Sequence, residues 1–378
     1  MRFLHLADLH IGKRINEVSM LEDQQYVLAQ VLDIIEREKA EGIIIAGDVY
    51  DKTIPSPQAV NVFDEFLTKL VRMQKKIYII SGNHDSGARL NFGHEIMSHN
   101  QVYMAGVLKE TPLVIEEEDR YGKLYIHLLP FVKPATVKGI YGEEADRIST
   151  YTEAVSACIQ HMNMDKTRRN ILIAHQFVTG AVKDGSEEIS AGGIDNVEAD
   201  VFSDFDYVAL GHIHRAQKVV QENIRYSGTL LKYSLSEEKH KKSVTIVDIK
   251  EKGDVEVHTV EITPLRDLRQ IRGDYNTLVQ KSFYEGTNTE DYLYAVLTDE
   301  EEVMDAMAKL KVIYPNLMSI RYDNIRTRAE NTIEGAQEVI QKTDIELCSE
   351  LYQLQNNQEM SAWQENYIKE LLEGLTEE

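Results

Sequence analysis

The chain has 378 residues, 43% of them hydrophobic and 28% charged, which gives room for two or three domains with a sizeable core and excludes global disorder. With 41 Lys and Arg against 63 Asp and Glu, the formal charge is −22, which excludes a simple basic DNA-coating protein. No stretch approaches the about 18 uninterrupted apolar residues of a membrane helix, and Asp8 interrupts the first apolar run before a signal-peptide core can form.

In chain order, the first half alternates short apolar runs with amphipathic helices. Residues 3–7, 43–46, 77–80, 171–174 and 207–210 are brief, rich in Ile, Val and Leu and nearly free of charge. That is the pattern of strands buried on both faces. Ser19 and Glu22 predict a capping box before a helix carrying Val27, Val31, Ile34 and Ile35. Ser56 and Pro57 open a second helix with Phe63, Leu67 and Leu70. Thr150 and Glu153 open a third, with Val155, Cys158 and Ile159. Residues 102–130 read as a hairpin turning at 119–122, and 217–262 as another turning at 252–254. The expectation is an α/β sandwich with a mixed sheet over 1–262.

Pro264 marks a boundary. A small α+β module over 263–330 is expected, with a helix near 274–283, a strand at 292–297, a helix at 300–312 and a strand at 317–322. From about Asn331 to 378 the chain reads as a helical, acidic tail. The two cysteines, Cys158 and Cys348, make neither a disulfide framework nor a Cys-rich metal site. They are taken as reduced thiols of a cytoplasmic protein.

Each of the five buried strands ends in a polar cluster: Asp8-Leu9-His10, Gly47-Asp48-Val49-Tyr50-Asp51, Gly82-Asn83-His84-Asp85, His175, and Gly211-His212-Ile213-His214. Ligands in α/β sheets gather beyond the carboxyl ends of strands, and glycine lets the backbone turn sharply there. Alone, each cluster has an ordinary reading as a turn, a cap or a satisfied core histidine. Three consecutive polar residues after a buried strand are costly without partners, however. Carboxylates, imidazoles and an amide without thiolate suit Mn²⁺, Fe²⁺ or Zn²⁺. The donors are too many for one ion. Two ions about 3.5–4 Å apart, sharing a carboxylate, would use them and would lower the pKa of a bound water near a phosphodiester.

Together, the ordered D-x-H, G-D-x-x-D, G-N-H-D, H and G-H-x-H motifs resemble the calcineurin-like metallophosphoesterase superfamily, whose phosphoesterase domain is a four-layer αββα sandwich. Residues 225–234, Arg-Tyr-Ser-Gly-Thr-Leu-Leu-Lys-Tyr-Ser, and 264–269, Pro-Leu-Arg-Asp-Leu-Arg, further resemble the SbcD family, the nuclease subunits of bacterial SbcCD complexes. The resemblance implies one metal on Asp8, His10 and His214, the other on Asn83, His175 and His212, and Asp48 bridging. It implies that His84 faces the scissile phosphate and that Asp51 orients His84. It also implies Mn²⁺ as the usual metal, with Mg²⁺ as the alternative. The implied function is DNA end processing in repair, recombination and replication: ATP-dependent double-strand exonuclease and single-strand or hairpin endonuclease activity with the ATPase SbcC, two copies of each protein and a homodimer of the nuclease. A small-nucleotide phosphodiesterase is the alternative. Lys52-Thr53 after Asp51, and Asp85 in the third motif, depart from the phosphoprotein phosphatases of the superfamily.

A chain this acidic needs local basic contacts for DNA. Arg14, Arg89 and Arg215 follow the first, third and fifth motifs and are the candidates, with a solvated loop charge as the ordinary reading. Lys239-His240-Lys241-Lys242 reads more as a solvated run. In the tail, Ile345, Leu347, Leu351 and Leu354 recur at helical spacing. The pattern restarts with Met360, Trp363, Tyr367, Leu371 and Leu372, with Ser361 near the cap. Residues 344–378 hold nine acids against Lys369 alone. Such helices dock on a partner or fold back on their own domain; a protein partner is the reading favoured here.

Overall fold

The computed structural model describes residues 1–142, 148–183, 195–324, 344–356 and 360–376. They form two units, Met1–Asp267 and Leu268–Glu378.

Among the described residues, the first unit is built on two six-stranded mixed sheets. One runs in the order Val255–Glu261, Ser243–Ile249, Arg2–Leu6, Gly42–Ala46, Lys76–Ile80, Val102–Ala105. Its last four strands are parallel, and the first two form an antiparallel edge hairpin. The other runs Gln217–Val219, Gln221–Tyr226, Tyr207–Gly211, Arg169–His175, Gly122–Leu129, Leu113–Asp119. Its four central strands are parallel and its edges antiparallel.

Side chains alternate across a strand, and here both faces are covered. Phe3, Ile44, Tyr78 and Ile80 of one sheet pack with Ile126, Leu128, Ile171, Ile173 and Ala209 of the other. On the far side of the second sheet, Leu172, Ala174, Val208 and Leu210 pack with Val137, Val155 and Cys158 of helices Pro134–Tyr141 and Tyr151–Gln160. Leu4, Leu6, Ile43 and Ile45 are buried on the far side of the first sheet. Helices Leu21–Arg37 and Pro57–Arg72 bring the stripes Val27, Val31, Ile34, Ile35 and Phe63, Phe66, Leu70. The fold is a four-layer αββα sandwich.

Two caps form as expected: Ser56 Oγ accepts from Ala59 N at 3.2 Å, and Thr150 and Glu153 make a reciprocal capping box. The first helix lacks the expected Ser19–Glu22 box, although Ser19 Oγ accepts the Leu21 amide at 3.4 Å. Ser19 pairs with Arg14 in the short ribbon Arg14–Ile15/Val18–Ser19, and Met20 is the N-cap without a side-chain bond. The two expected hairpins are each narrower than the sequence suggests. Only Leu113–Asp119 and Gly122–Leu129 pair with each other, while Val102–Ala105 joins the opposite sheet beside Lys76–Ile80. Residues 217–262 likewise divide into two hairpins, one per sheet. Alternation identifies a strand but not its partner.

The second unit holds a parallel three-stranded sheet in the order Leu268–Gly273, Tyr292–Leu297, Leu317–Tyr322. The first of these strands is not among those expected from the sequence. The helix expected near 274–283 is two single turns, Tyr275–Leu278 and Lys281–Tyr284, because the Tyr314 hydroxyl takes the Leu278 carbonyl at 2.7 Å. The helix expected at 300–312 starts only at Ala306; ahead of it the Val303 amide donates to the Tyr322 hydroxyl at 3.0 Å. Helices Asp344–Asn356 and Ala362–Thr376 follow, and Ser361 with Gln364 caps the second. Residues 325–343, which include the expected start of the tail, lie outside the described residues, as do the side chains of Leu354 and Leu372.

Candidate metal centre

All five motif strands are present and parallel within their sheets, so their carboxyl ends open on one rim. Asp8, His10, Asp48 and Asn83 come from the first sheet, and His175, His212 and His214 from the second. The backbone is forced to deliver them. Asp8, His10, Asp48 and His212 have φ of 51°, 42°, 50° and 106°, a region that costs non-glycine residues about 1–3 kcal/mol each and persists where the surroundings over-determine it. Gly47 makes its turn at φ +86°, whereas Gly82 and Gly211 serve close approach. A Cβ on Gly82 would meet Asp48 Oδ1 at 2.0 Å, and one on Gly211 would meet the Ala46 carbonyl oxygen at 2.0 Å.

The side chains fall into two groups. His10 Nε2 and His214 Nε2 are 3.2 Å apart, and Asp8, His10 and His214 can converge on one ion. Asn83 Oδ1 lies 3.0 Å from both His175 Nε2 and His212 Nδ1. Asp48 stands between the groups, with Oδ2 3.3 Å from His175 Nε2 and 3.9 Å from His10 Nε2. Its other oxygen accepts the His84 main-chain amide at 2.9 Å. Asp8 accepts the His212 amide on both oxygens, at 3.0 and 3.1 Å. His84 is half-buried beside His10, with ring centroids 4.9 Å apart.

The donor set fits cations. His175 Nδ1 faces the Ala46 carbonyl at 2.8 Å and must donate to it. In the neutral ring its Nε2 then carries a lone pair aimed at the oxygens of Asn83 and Asp48, so the group needs a positive charge there, a proton or a cation. Acceptors facing one another in a dry pocket repel unless a positive charge sits among them. The titration behaviour expresses the same need. Burial lowers the affinity of His175 for a proton, but Asp48 and Asp8 outweigh it and lift its pKa to about 9. Burial raises Asp8 to about 7, against the pull of His175 and His214. His212, desolvated and beside His175, falls to about 3. Asp48 resists its own burial and stays ionised under the influence of His175 and His10.

A family profile described as calcineurin-like phosphoesterase matches residues 1–216, and one described as type 5 capsule protein repressor C-terminal domain matches 264–356. The chain is 32% identical over 376 residues to the SbcD component of the nuclease SbcCD from Staphylococcus epidermidis, covering 98% of both sequences. The chain belongs to the SbcD family of calcineurin-like phosphoesterases. Membership makes it a metal-dependent phosphoester hydrolase of the nuclease kind, and the small-nucleotide alternative is not favoured. Among solved structures, a dimetal phosphatase from Danio rerio is 12% identical with a TM-score of 0.40, covering 70% of this chain and 98% of its own. The phosphoesterase YfkN from Bacillus subtilis is also 12% identical, at 0.35, covering 70% and 90%.

In this SbcD-family chain the site has a supporting shell that the sequence does not reveal. The Asp85 carboxylate accepts from the amides of Val49, Tyr50 and Gly82 at 3.1, 3.0 and 3.0 Å, tying the second motif to the third. Gln24 donates to the His10 carbonyl at 2.8 Å, and the Tyr233 hydroxyl to that of Leu9 at 2.8 Å. Buried Glu237 lies 3.4 Å from His214 Nδ1 and is paired with buried Lys242. His84 Nδ1 bonds the main-chain carbonyl of Asp51 at 3.1 Å, whereas the Asp51 carboxylate holds Lys13 at 2.8 Å. Spacing along the chain cannot tell these two oxygens of Asp51 apart. Arg14 on the ribbon strand Arg14–Ile15, Arg89 on the helical turn Gly87–Leu90 and Arg215 directly after the fifth motif are all exposed. Lys242, part of the run read as solvated, is buried.

Proposed function

We propose that the chain hydrolyses DNA phosphodiesters with two divalent cations, as the nuclease subunit of an assembly with the ATPase SbcC. The observation that carries this is the pair of buried donor groups with the Asp48 carboxylate between them. One cation would rest on Asp8, His10 and His214, the other on Asn83, His175 and His212, with Asp48 shared. The carboxylate, imidazole and amide donors would take Mn²⁺, Fe²⁺ or Zn²⁺, and the family relation favours Mn²⁺, with Mg²⁺ as the alternative. Such ions supply a hydroxide near neutral pH and positive charge for the phosphate.

The residues do the rest. Asp8 and Asp48 are the charged ligands, so two divalent ions leave the site net positive and attractive to a phosphodiester. His84, whose Nδ1 bonds the Asp51 carbonyl, would face the scissile phosphate and stabilise its charge or protonate the leaving oxygen. Arg14, Arg89 and Arg215 offer charge to the flanking phosphates. The second unit acts as a DNA-binding cap, and the two C-terminal helices as the docking element for SbcC. The family relation supports a cytoplasmic assembly of two copies of each protein, built on a dimer of this chain, that acts in DNA repair and recombination.

The test is cleavage by the purified chain with Mn²⁺ or Mg²⁺, with and without SbcC and ATP, on linear duplex, hairpin DNA and bis-p-nitrophenyl phosphate. Metal-dependent cleavage of DNA, stimulated by SbcC and ATP on duplex ends, is expected. Hydrolysis confined to the small diester, with DNA untouched even in the presence of SbcC, overturns the proposal.

A further inference from the structure

The His214 ring is engaged at both nitrogens. Nε2 faces His10, and Nδ1 faces the Glu237 carboxylate, 3.4 Å away on the short 3₁₀ turn Leu235–Glu237. Glu237 is fully buried, and a buried carboxylate is tolerated only where its oxygens are satisfied. Lys242 Nζ satisfies the second oxygen. The same ammonium donates to Thr229 Oγ1 at 2.6 Å and to the His214 main-chain carbonyl at 3.1 Å. The Thr229 amide reaches that carbonyl too, at 3.1 Å. Gly228, at φ +74°, permits this close approach: a Cβ there would meet the His214 carbonyl oxygen at 2.7 Å. One buried cluster therefore holds the backbone of His214 and addresses its ring.

The two halves of the site differ in this respect. His175 presents its outer nitrogen to a neutral carbonyl, that of Ala46; His214 presents its own to a carboxylate. A carboxylate behind a ligand histidine fixes its tautomer and strengthens it as a donor more than a neutral acceptor does, and losing such a partner costs about 10–100-fold in metal affinity.

We infer that Glu237, locked in place by Lys242 and Thr229, is a positioning residue that makes the Asp8–His10–His214 half of the site the tighter of the two for its cation. The inference rests on the ligand assignment proposed above.

The experiment is calorimetric titration of the metal-stripped full-length chain with Mn²⁺, comparing wild type, His214→Ala, Glu237→Gln and Glu237→Asp. Anomalous scattering from Mn²⁺-soaked crystals assigns each binding step to its half of the site. Wild type should bind in two steps, the tighter one at Asp8, His10 and His214, and His214→Ala should lose that step. Glu237→Gln keeps the shape but not the charge. It should weaken the same step by about 10–100-fold and leave the other unchanged. Glu237→Asp, which keeps the charge at a longer reach, should recover part of the loss; should Glu237→Gln not fold, a smaller weakening of that step in Glu237→Asp carries the same meaning. If His214→Ala loses one ion but both Glu237 variants bind as wild type, or weaken both steps equally, the inference is wrong and the ligand set stands. If His214→Ala keeps both ions, the ligand set falls and takes the inference with it.

Discussion

His84 and His175 are each oriented through Nδ1 by a main-chain carbonyl, Asp51 for one and Ala46 for the other. His84→Ala should reduce cleavage by about 10²–10⁴-fold, the range of a lost proton donor, with metal content near normal. Loss of an ion in that variant would make His84 a ligand. Asp51→Asn should leave the orientation of His84 intact, because the carbonyl is unchanged, and so should cost far less than His84→Ala in the same assay. Asp48→Asn should remove cleavage and weaken both ions together, measured by metal analysis. The candidate ligands were legible because a polar cluster straight after a buried strand needs partners. Their orienting groups were not. Every residue has a carbonyl, and Glu237 sits in Glu237-Glu238-Lys239-His240-Lys241-Lys242, where charge density in the sequence conceals which members are inside. His5 adds a pH effect. It is buried between the sheets, 3.0 Å from the Tyr207 hydroxyl, and burial lowers its pKa to about 3. The unfolded chain takes up a proton near pH 6.5 and the folded chain does not, so stability falls as pH drops below about 6.5. By pH 5 the loss from this one group is about 2 kcal/mol. Urea unfolding at pH 7 and pH 5 should show a shallower fall in His5→Gln than in wild type.

At the scale of elements, the five parallel strands were readable because burial on both faces writes itself as an uninterrupted apolar run. The hairpins were read in outline only, since Val102–Ala105 and Leu113–Asp119 carry strand patterns but nothing local to say that they belong to different sheets. Short helices failed where a distant hydroxyl took a backbone group, as Tyr314 does at Leu278. The strand ends make a sharp prediction. Gly211 of the second sheet lies against the Ala46 carbonyl of the first, the carbonyl that also orients His175. Gly211→Ala sets backbone against backbone, so it should destabilise the first unit by about 1–3 kcal/mol or more and weaken Mn²⁺ binding as His175 loses its anchor. Denaturant midpoints and metal titration of the one variant check both.

Taken as a whole molecule, the chain carries its chemistry before residue 215 and an acidic helical end far from it in sequence. Trp363 and Tyr367 stack with ring centroids 5.6 Å apart and are 73% and 51% exposed; Leu351 and Leu371 are exposed beside them in the sequence pattern. Their acidity suits a protein partner better than DNA. Deleting residues 344–378 should abolish the complex with SbcC and the ATP-stimulated cleavage of duplex ends, while cleavage of small diesters survives. Co-purification and Trp363 fluorescence report the docking directly. Full-affinity binding by the truncated chain would reassign these helices to the protein's own fold.

The candidate ligands at the rim divide between the two sheets. Asp8, His10, Asp48 and Asn83 hang from one half of the sandwich, and His175, His212 and His214 from the other. Between the halves lie mainly apolar side chains, crossed by a few hydrogen bonds such as those of His5 to Tyr207 and of His175 to the Ala46 carbonyl. Ions gripped from both sides would act as a clasp on that seam, joining segments some two hundred residues apart in the sequence. A cation that binds only the closed sandwich stabilises it by about 2.7 kcal/mol at a hundred times its dissociation constant. Metal starvation would then do more than idle the enzyme: it would let the book fall open and shorten the life of the protein itself.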